Sequence, residues 1–320
     1  MQLKEELKGA FTSYWSFMTL RTACQLNVFD EVKKADNTIN ELSNILNTDY
    51  KSLEVLISSL IRLNTLESID SILILKPKGD LLTDSSPDSL KQACILWGEE
   101  HLTAWQNLEY TIKTGLPSFE KIYSTSFFNY LKNDVRKLNN YHKAMSEYAV
   151  DDYRNITDVF EFSKFSNITD VGGGLGVLIN YVHEKYPIKT YNLVELPEVI
   201  DLFVGLGTIN LYRADFFNSI PVQSDLIILS RVLHDWDDEK AKIILKKCLQ
   251  TLSINGQILI IEIMQEEINA DLLSLNMMAI CKSYERTFNQ YEKLIKNVGL
   301  KVSKKIKLNN LQTILSIERT

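Results

Sequence analysis

Apolar residues recur at helical spacing through the first half of the chain and at strand spacing through the second. Near the start, Phe11, Tyr14, Trp15 and Met18 share one face of a helix. That face is aromatic and fits either an intramolecular core or a subunit interface. Thr38-Ile-Asn-Glu41 reads as a capping box, opening a short helix through Leu42, Ile45 and Leu46. A second helix follows Asp49, with Leu53, Leu56, Leu60 and Leu63 inward. NTLES (64–68) and SILIL (71–75) then read as two short strands, completing a winged-helix pattern. Further helical segments are predicted over 89–113 and 127–160, with Pro117 in a loop between them.

From about residue 165 the rhythm changes. Short apolar runs lie at 167–171, 190–195, 209–214, 225–230 and 257–263, with helical stretches at 175–185 and 238–252. Strands alternating with helices predict an α/β fold, a Rossmann-like doubly wound parallel sheet covered on both faces. The expected division is an all-helical, winged-helix-like domain over 1–162 and an α/β domain over 163–320.

The 320 residues are 45% hydrophobic and 24% charged, with a net charge of −6, a globular composition that disfavours a general nucleic-acid binder. Over residues 1–85 nine basic side chains face twelve acidic ones, so the wing lacks the cations a DNA-reading helix needs and is read as structural. A DNA-binding, ligand-sensing regulator is the non-enzyme alternative that this count disfavours. The N-terminal MQLKEELKGAF has no apolar core of a signal peptide, and no apolar run approaches the ~18 residues of a membrane span. Cys24, Cys94, Cys248 and Cys281 lie far apart with no CxxC spacing. They read as buried thiols of a cytoplasmic protein with no metal site and no membrane partner.

Candidate chemistry begins at Asp170-Val-Gly-Gly-Gly-Leu-Gly176, which follows a strand and opens a helix. Glycines let a ligand approach the backbone, and the helix N-terminus offers free N–H groups. Gly172, Gly174 and Gly176 give G-x-G-x-G where a dinucleotide fold wants G-x-G-x-x-G. Glu195 ends the next strand, where a carboxylate can accept ribose hydroxyls, and Asp215-Phe216 follows the third, suited to adenine. Three acids at successive strand ends are hard to explain structurally.

The loop DVGGGLG, with NLVELPEV, ADFF, Ser230-Arg-Val-Leu-His-Asp-Trp236 and SLNMMAICKSYERT, resembles the plant-type O-methyltransferase family, which includes caffeate, acetylserotonin and bacterial natural-product enzymes. The resemblance spans nearly the whole chain. It implies a class I methyltransferase fold, a helical dimerisation domain that makes a homodimer with interlocking arms, and S-adenosylmethionine (SAM) as cofactor, leaving as S-adenosylhomocysteine, with no metal. It implies that Tyr141, Gly172, Glu195, Asp215, Phe216 and Arg231 contact the cofactor, and Asp170 and Gly174 of the glycine loop are assigned to the same site. It makes His234 the general base, with Glu262 and Glu285 as flanking carboxylates, and places Asp235 and Asn276 against the acceptor. Ser230 stands where many plant members carry lysine, and is assigned to the cofactor site.

The residues alone allow the same chemistry. A phenol of pKa ~10 must lose its proton near neutral pH, and a histidine at the end of a strand, with a carboxylate on its other nitrogen, can take it. Asp235 and Asp237 could instead favour the N-terminus of the following helix. Met145 could line a flat acceptor pocket or fill the core. His101, His142 and His183 are read as structural. The expectation is methylation of a hydroxyl on a small aromatic or heteroaromatic metabolite. The alternative on the same scaffold is N-methylation or a non-methylating reaction of a pericyclase, decarboxylase or hydroxylase.

Overall fold

A computed structural model describes residues 2–187, 189–203 and 207–320. The chain forms two compact units, Met1–Glu100 and His101–Thr320. The dividing line falls earlier than the expected 162/163. The helices between 101 and 160 belong with the α/β elements: Ala104, Phe119, Phe127 and Leu138 share one core with Val199, Ala279 and Ile280.

In the first unit the expected order of helix, helix and wing is observed. Thr38 and Glu41 close a reciprocal capping box at the helix Ile39–Leu46, the Thr38 N–H donating to Glu41 at 2.8 Å. Asp49 caps Tyr50–Arg62 by accepting the Ser52 N–H at 2.8 Å. That helix buries Leu53, Ile57 and Leu60, so Ile57, not Leu63, completes the inner face. Strands β1 (Leu66–Ile69) and β2 (Ile72–Leu75) pair antiparallel around Asp70 and Ser71, both at positive φ, as a two-residue hairpin with primed-turn geometry requires. The opening helix Gln2–Gln25 buries only Ala23 and Cys24. Leu3, Leu7, Phe11, Tyr14 and Trp15 are 56–75% exposed, so this face is not intramolecular core. Lys91, 2% exposed, anchors the unit by donating to Asn27, Asp30 and Asp84 at 2.7–2.8 Å.

The second unit is built on a seven-stranded sheet. Its strands are β3 (Asn167–Val171), β4 (Thr190–Glu195), β5 (Ile209–Arg213), β6 (Ser224–Ser230), β7 (Leu252–Ile263), β8 (Leu300–Lys307) and β9 (Gln312–Arg319). Their spatial order is β5-β4-β3-β6-β7-β9-β8. The five expected strands are all present, and they are parallel. Central strands must be apolar on both faces, and Leu226–Leu229 are accordingly fully buried. The sheet is nevertheless mixed, not wholly parallel: β9 inserts antiparallel between β7 and β8. β8 reads LKVSKKIK, with apolar residues alternating with lysines, the pattern of a guarded edge strand. Residues 253–257 (SINGQ), ahead of the apolar run, form no separate turn, because β7 runs through them with a shift of register against β6. A short helix, Ser118–Tyr123, follows directly on Pro117.

The strand order reverses between β3 and β6, which leaves a crevice at the carboxyl ends of these parallel strands. Asp170, Glu195, Ser230 and Glu262 all stand at that edge. Replacing Lys91 with Met would strand the partly buried Asp30 carboxylate, so urea unfolding of Lys91→Met should report a loss of about 3 kcal/mol in the stability of the first unit. An unchanged midpoint would show that Lys91 does not anchor it.

Candidate active site

The glycine turn after β3 is shaped by backbone constraint. Gly172, Gly174 and Gly176 all have φ between 58 and 74°, a left-handed region that glycine enters freely. A Cβ on Gly172 would lie 2.9 Å from Val232, and one on Gly176 would lie 2.5 Å from Phe203. The helix Val177–Lys185 starts there, its first N–H groups facing the crevice edge.

Two carboxylates flank this turn. Glu195 accepts the Gly174 N–H at 3.3 Å and the Leu196 N–H at 2.8 Å. Asp170 is 1% exposed, yet neither of its oxygens has a hydrogen-bond partner. Burial pushes Asp170 up to about 7, and neighbouring Glu195 adds to the rise. Burial likewise pushes Glu195 up to about 7, against the lowering effect of its two backbone donors. Asp215 accepts the Phe217 N–H at 2.9 Å, which fixes its carboxylate, and the Phe216 ring lies near Gly172. A buried carboxylate without a donor, beside a turn that admits no side chains, fits a cationic, backbone-hugging ligand such as SAM.

The other half of the site lies after β6 and β7. Arg231 takes a left-handed conformation, φ 55°, and its N–H donates to Ile261 O at 2.9 Å. A single 3₁₀ turn, Leu233–Asp235, then presents the histidine. His234 Nδ1 lies 3.0 Å from Glu285 Oε1. Glu262 Oε1 accepts the backbone N–H groups of Leu233 and His234, at 3.0 and 3.3 Å. The Arg231 guanidinium donates to Glu262 at 3.3 Å and to Glu285 at 3.0 Å. Burial would raise Glu285, but Arg231 and His234 hold it down to about 2. Burial and Arg231 act to lower His234, but Asp235, Glu285 and Glu262 together hold it above its ordinary value.

The structure brings His234, Glu262, Glu285, Arg231 and Asp235 together. Asp235 Oδ1 lies 3.5 Å from His234 Nε2. Asp237, not Asp235, caps the helix Asp238–Thr251 by accepting the Lys240 N–H at 2.9 Å. Ser230 donates to the Tyr153 hydroxyl at 2.6 Å, tying β6 to the helix Val135–Tyr153. That helix also carries Tyr141 and the half-buried Met145. Asn276 accepts from the Trp105 indole at 2.9 Å.

Sequence reasoning missed three contributors. Arg286, 2% exposed, donates to the carbonyls of Leu233 and Trp236 at 2.8 and 2.6 Å, clamping the turn that carries His234. Ser283 Oγ donates to the carbonyl of His234. His142, expected to be structural, stands beside the glycine turn: its Nδ1 is 3.4 Å from where a Cβ on Gly174 would sit, and burial holds it down to about 4. Its position next to Tyr141 was the available signal. His101 packs edge-on against Phe127, and His183 bonds Thr208 at 2.8 Å.

A model of the O-methyltransferase domain matches residues 105–301, and one of the O-methyltransferase dimerisation domain matches residues 9–73. The chain belongs to the O-methyltransferase family. It is a SAM-dependent methyltransferase with the class I fold. Phenazine O-methyltransferase PhzM of Lysobacter antibioticus is 28% identical over 309 residues, covering 93% of this chain and 91% of that one. Myricetin 3'-O-methyltransferase 4 of Solanum lycopersicum is 33% identical over 231 residues, 68% of this chain and 63% of that one. Among solved structures, LaPhzM superposes with a TM-score of 0.94 at 26% identity, covering 99% of both chains.

His234, Glu262 and Glu285 each bring a ligand atom within 4.8 Å of the others, a spacing a divalent ion could use. In this methyltransferase Arg231 already occupies both carboxylates, so a cation would enter against a fixed positive charge. Among the described residues no helix is long and apolar enough to cross a membrane.

The orphaned Asp170 yields a stability test. Its folded pKa, about 7, lies above the ~3.9 of an unfolded chain, so the folded state loses stability as pH rises from about 4 to 7. Cofactor-free Asp170→Asn should escape this loss, gaining on wild type by about 2–4 kcal/mol over that window and no more above it. Parallel denaturation curves at pH 4 and pH 8 would refute the assignment.

Proposed function

We propose that this enzyme methylates a hydroxyl group on a small aromatic or heteroaromatic natural product in the cytoplasm, with His234 as general base. The observation that carries the reading is the His234–Glu285 contact of 3.0 Å. Glu285, ionised far below neutrality, accepts the proton on Nδ1 and so leaves the lone pair of the neutral ring on Nε2. An acceptor hydroxyl placed at Nε2 gives up its proton there, and Glu285 and Glu262 stabilise the imidazolium that forms. When bound, SAM supplies an electrophilic methyl group on its sulfonium. Asp170 and the glycine turn would hold its charged end, Glu195 its ribose, and Asp215 with Phe216 its adenine. His142 borders the same turn, and the Tyr141 ring packs edge-on against it with centres 5.2 Å apart.

A flat acceptor is supported by the rings around the base. Phe128 lies 5.5 Å from Trp236 and 6.2 Å from Tyr141, ring centre to ring centre. The reading is further supported by relatives named for phenazine, mitomycin and 3-amino-4-hydroxybenzoate methylation. The exposed face Leu3, Leu7, Phe11, Tyr14 and Trp15, within and beside the matched dimerisation region, supports a homodimer through the first helix.

Two outcomes are expected. His234→Ala should leave cofactor affinity nearly intact in calorimetry while turnover falls roughly 10²–10⁴-fold. In wild type the rate should rise with pH through a value above 6.5, because the surrounding carboxylates hold the imidazolium. Wild-type methyl transfer by His234→Ala would remove it as the base. Separately, deleting residues 1–20 should give a monomer in light scattering with weakened acceptor binding; a truncated dimer would show that the aromatic face is not the interface.

A further inference from the structure

Cys24 and Cys94 lie far apart in the sequence, and the fold brings their thiols into a mutual hydrogen bond. Cys24 sits in the last turn of the helix Gln2–Gln25, and Cys94 in the middle of the helix Lys91–Trp97. One turn away the same two helices meet again. Arg21 Nε donates to Ile95 O at 3.4 Å, and a Cβ on Gly98 would lie 1.9 Å from Arg21 Cδ. The approach is therefore close along both helices and admits no side chain at Gly98. Cys24 is 1% exposed, whereas Cys94 is half-buried and packs at the margin of the core that contains Cys24.

The two thiols differ in ways that assign them different parts. The hydrogen bond to Cys94, and then burial, hold Cys24 well above the ordinary thiol range, so Cys24 is the donor of the pair and keeps its proton. Cys94 has the surface through which an oxidant reaches the pair. A thiolate at Cys94 accepts the Cys24 S–H, and the Lys91 ammonium lies within electrostatic reach. An accessible attacking thiol beside a buried, protonated partner is an arrangement from which a disulfide forms. Among the described residues the pair belongs to no group of three metal-ligating side chains, so a zinc ion would be short of donors there.

We propose that Cys24 and Cys94 are a reversible oxidation site, whose disulfide ties the end of the first helix to the helix Lys91–Trp97. The co-reactant is a low-molecular-weight disulfide such as oxidised glutathione. The Cys94 thiolate attacks one of its sulfurs, its S–S bond breaks, and one glutathione thiolate leaves. Cys24 then gives up its proton and attacks Cys94 Sγ in the mixed disulfide, and the second glutathione thiolate leaves. Each leaving thiolate takes up a proton that a cysteine has lost, so two protein thiols are oxidised while one disulfide is reduced to two thiols. In a reducing thiol pool the pair stays open, and it closes when the pool becomes oxidising. The bond closes a loop of about seventy residues, which holds most of the first unit's core, and so restricts the unfolded chain. The site is independent of the methyltransferase chemistry.

The test keeps the full-length protein folded in glutathione buffers of rising oxidised fraction, then unfolds and alkylates it. Peptide mapping of wild type should find Cys24 joined to Cys94. Cys24→Ser should stop at the mixed disulfide, with one glutathione on Cys94, and Cys94→Ser should leave Cys24 unmodified. Oxidised wild type should unfold at a urea midpoint about 1 M above the reduced form, and dithiothreitol should reverse the shift. Cofactor affinity measured on each variant confirms an intact fold, and the wild-type map stands without them. Cys24 and Cys94 both still alkylated in the most oxidising buffer, or either one crosslinked to another cysteine, overturns the proposal. A disulfide that leaves the urea midpoint unchanged overturns the tie between the helices. Absence of glutathione on Cys94 in a folded Cys24→Ser overturns the order of attack.

Discussion

Glu262 and Glu285 have no exposed surface, and a single guanidinium, that of Arg231, stands between them. An unpaired charge in such a place costs several kcal/mol, and Glu285 stays ionised there because Arg231 and His234 pair with it. The placement of His234 follows from that pairing. Glu262 holds the backbone of His234 through two N–H groups, Glu285 holds its ring, and Arg286, the next residue along, holds the carbonyls on either side of the turn. Buried ion pairs are weak sources of stability, but they fix geometry well. Arg231 itself keeps a left-handed backbone that a side-chain-bearing residue adopts only at some cost, supported by its bond to Ile261.

The two halves of the crevice are prepared in opposite ways. On the catalytic side, the carboxylates are neutralised by charges the chain provides, and Glu285 is ionised at any ordinary pH. On the cofactor side, Asp170 is buried with no donor at all and Glu195 has only backbone N–H groups. The His234 side is therefore held in place by the chain's own contacts, whereas Asp170 retains an unmet electrostatic demand.

Much of this was legible in the sequence, and the reasons are local. Thr38 and Glu41 form their capping box within four residues, and the glycines of the β3 turn need no distant partner to declare themselves. Asp170, Glu195 and Glu262 were readable because each ends a strongly apolar strand. What escaped depends on long-range pairing. Trp105 and Asn276 meet across 171 positions of sequence, and Arg286 stood unremarked beside Glu285 because its partners are carbonyls, which carry no sequence signature. The C-terminal hairpin escaped because its strands are respectively lysine-rich and moderately polar, unlike the apolar strands that announced the sheet.

That hairpin bears on how the molecule is made. β9 lies between β7 and β8, so the strand synthesised later is the inner one. While the ribosome is still adding residues beyond Lys307, β8 has no neighbour to pair with, and the exposed edge of β7, with Ile258, Ile260 and Ile261 along it, is open. Every residue up to about 319 must leave the exit tunnel before the sheet can close. The second unit thus closes its sheet only once β9 has emerged, while the first, with its local helices and two-residue hairpin, can form earlier in synthesis.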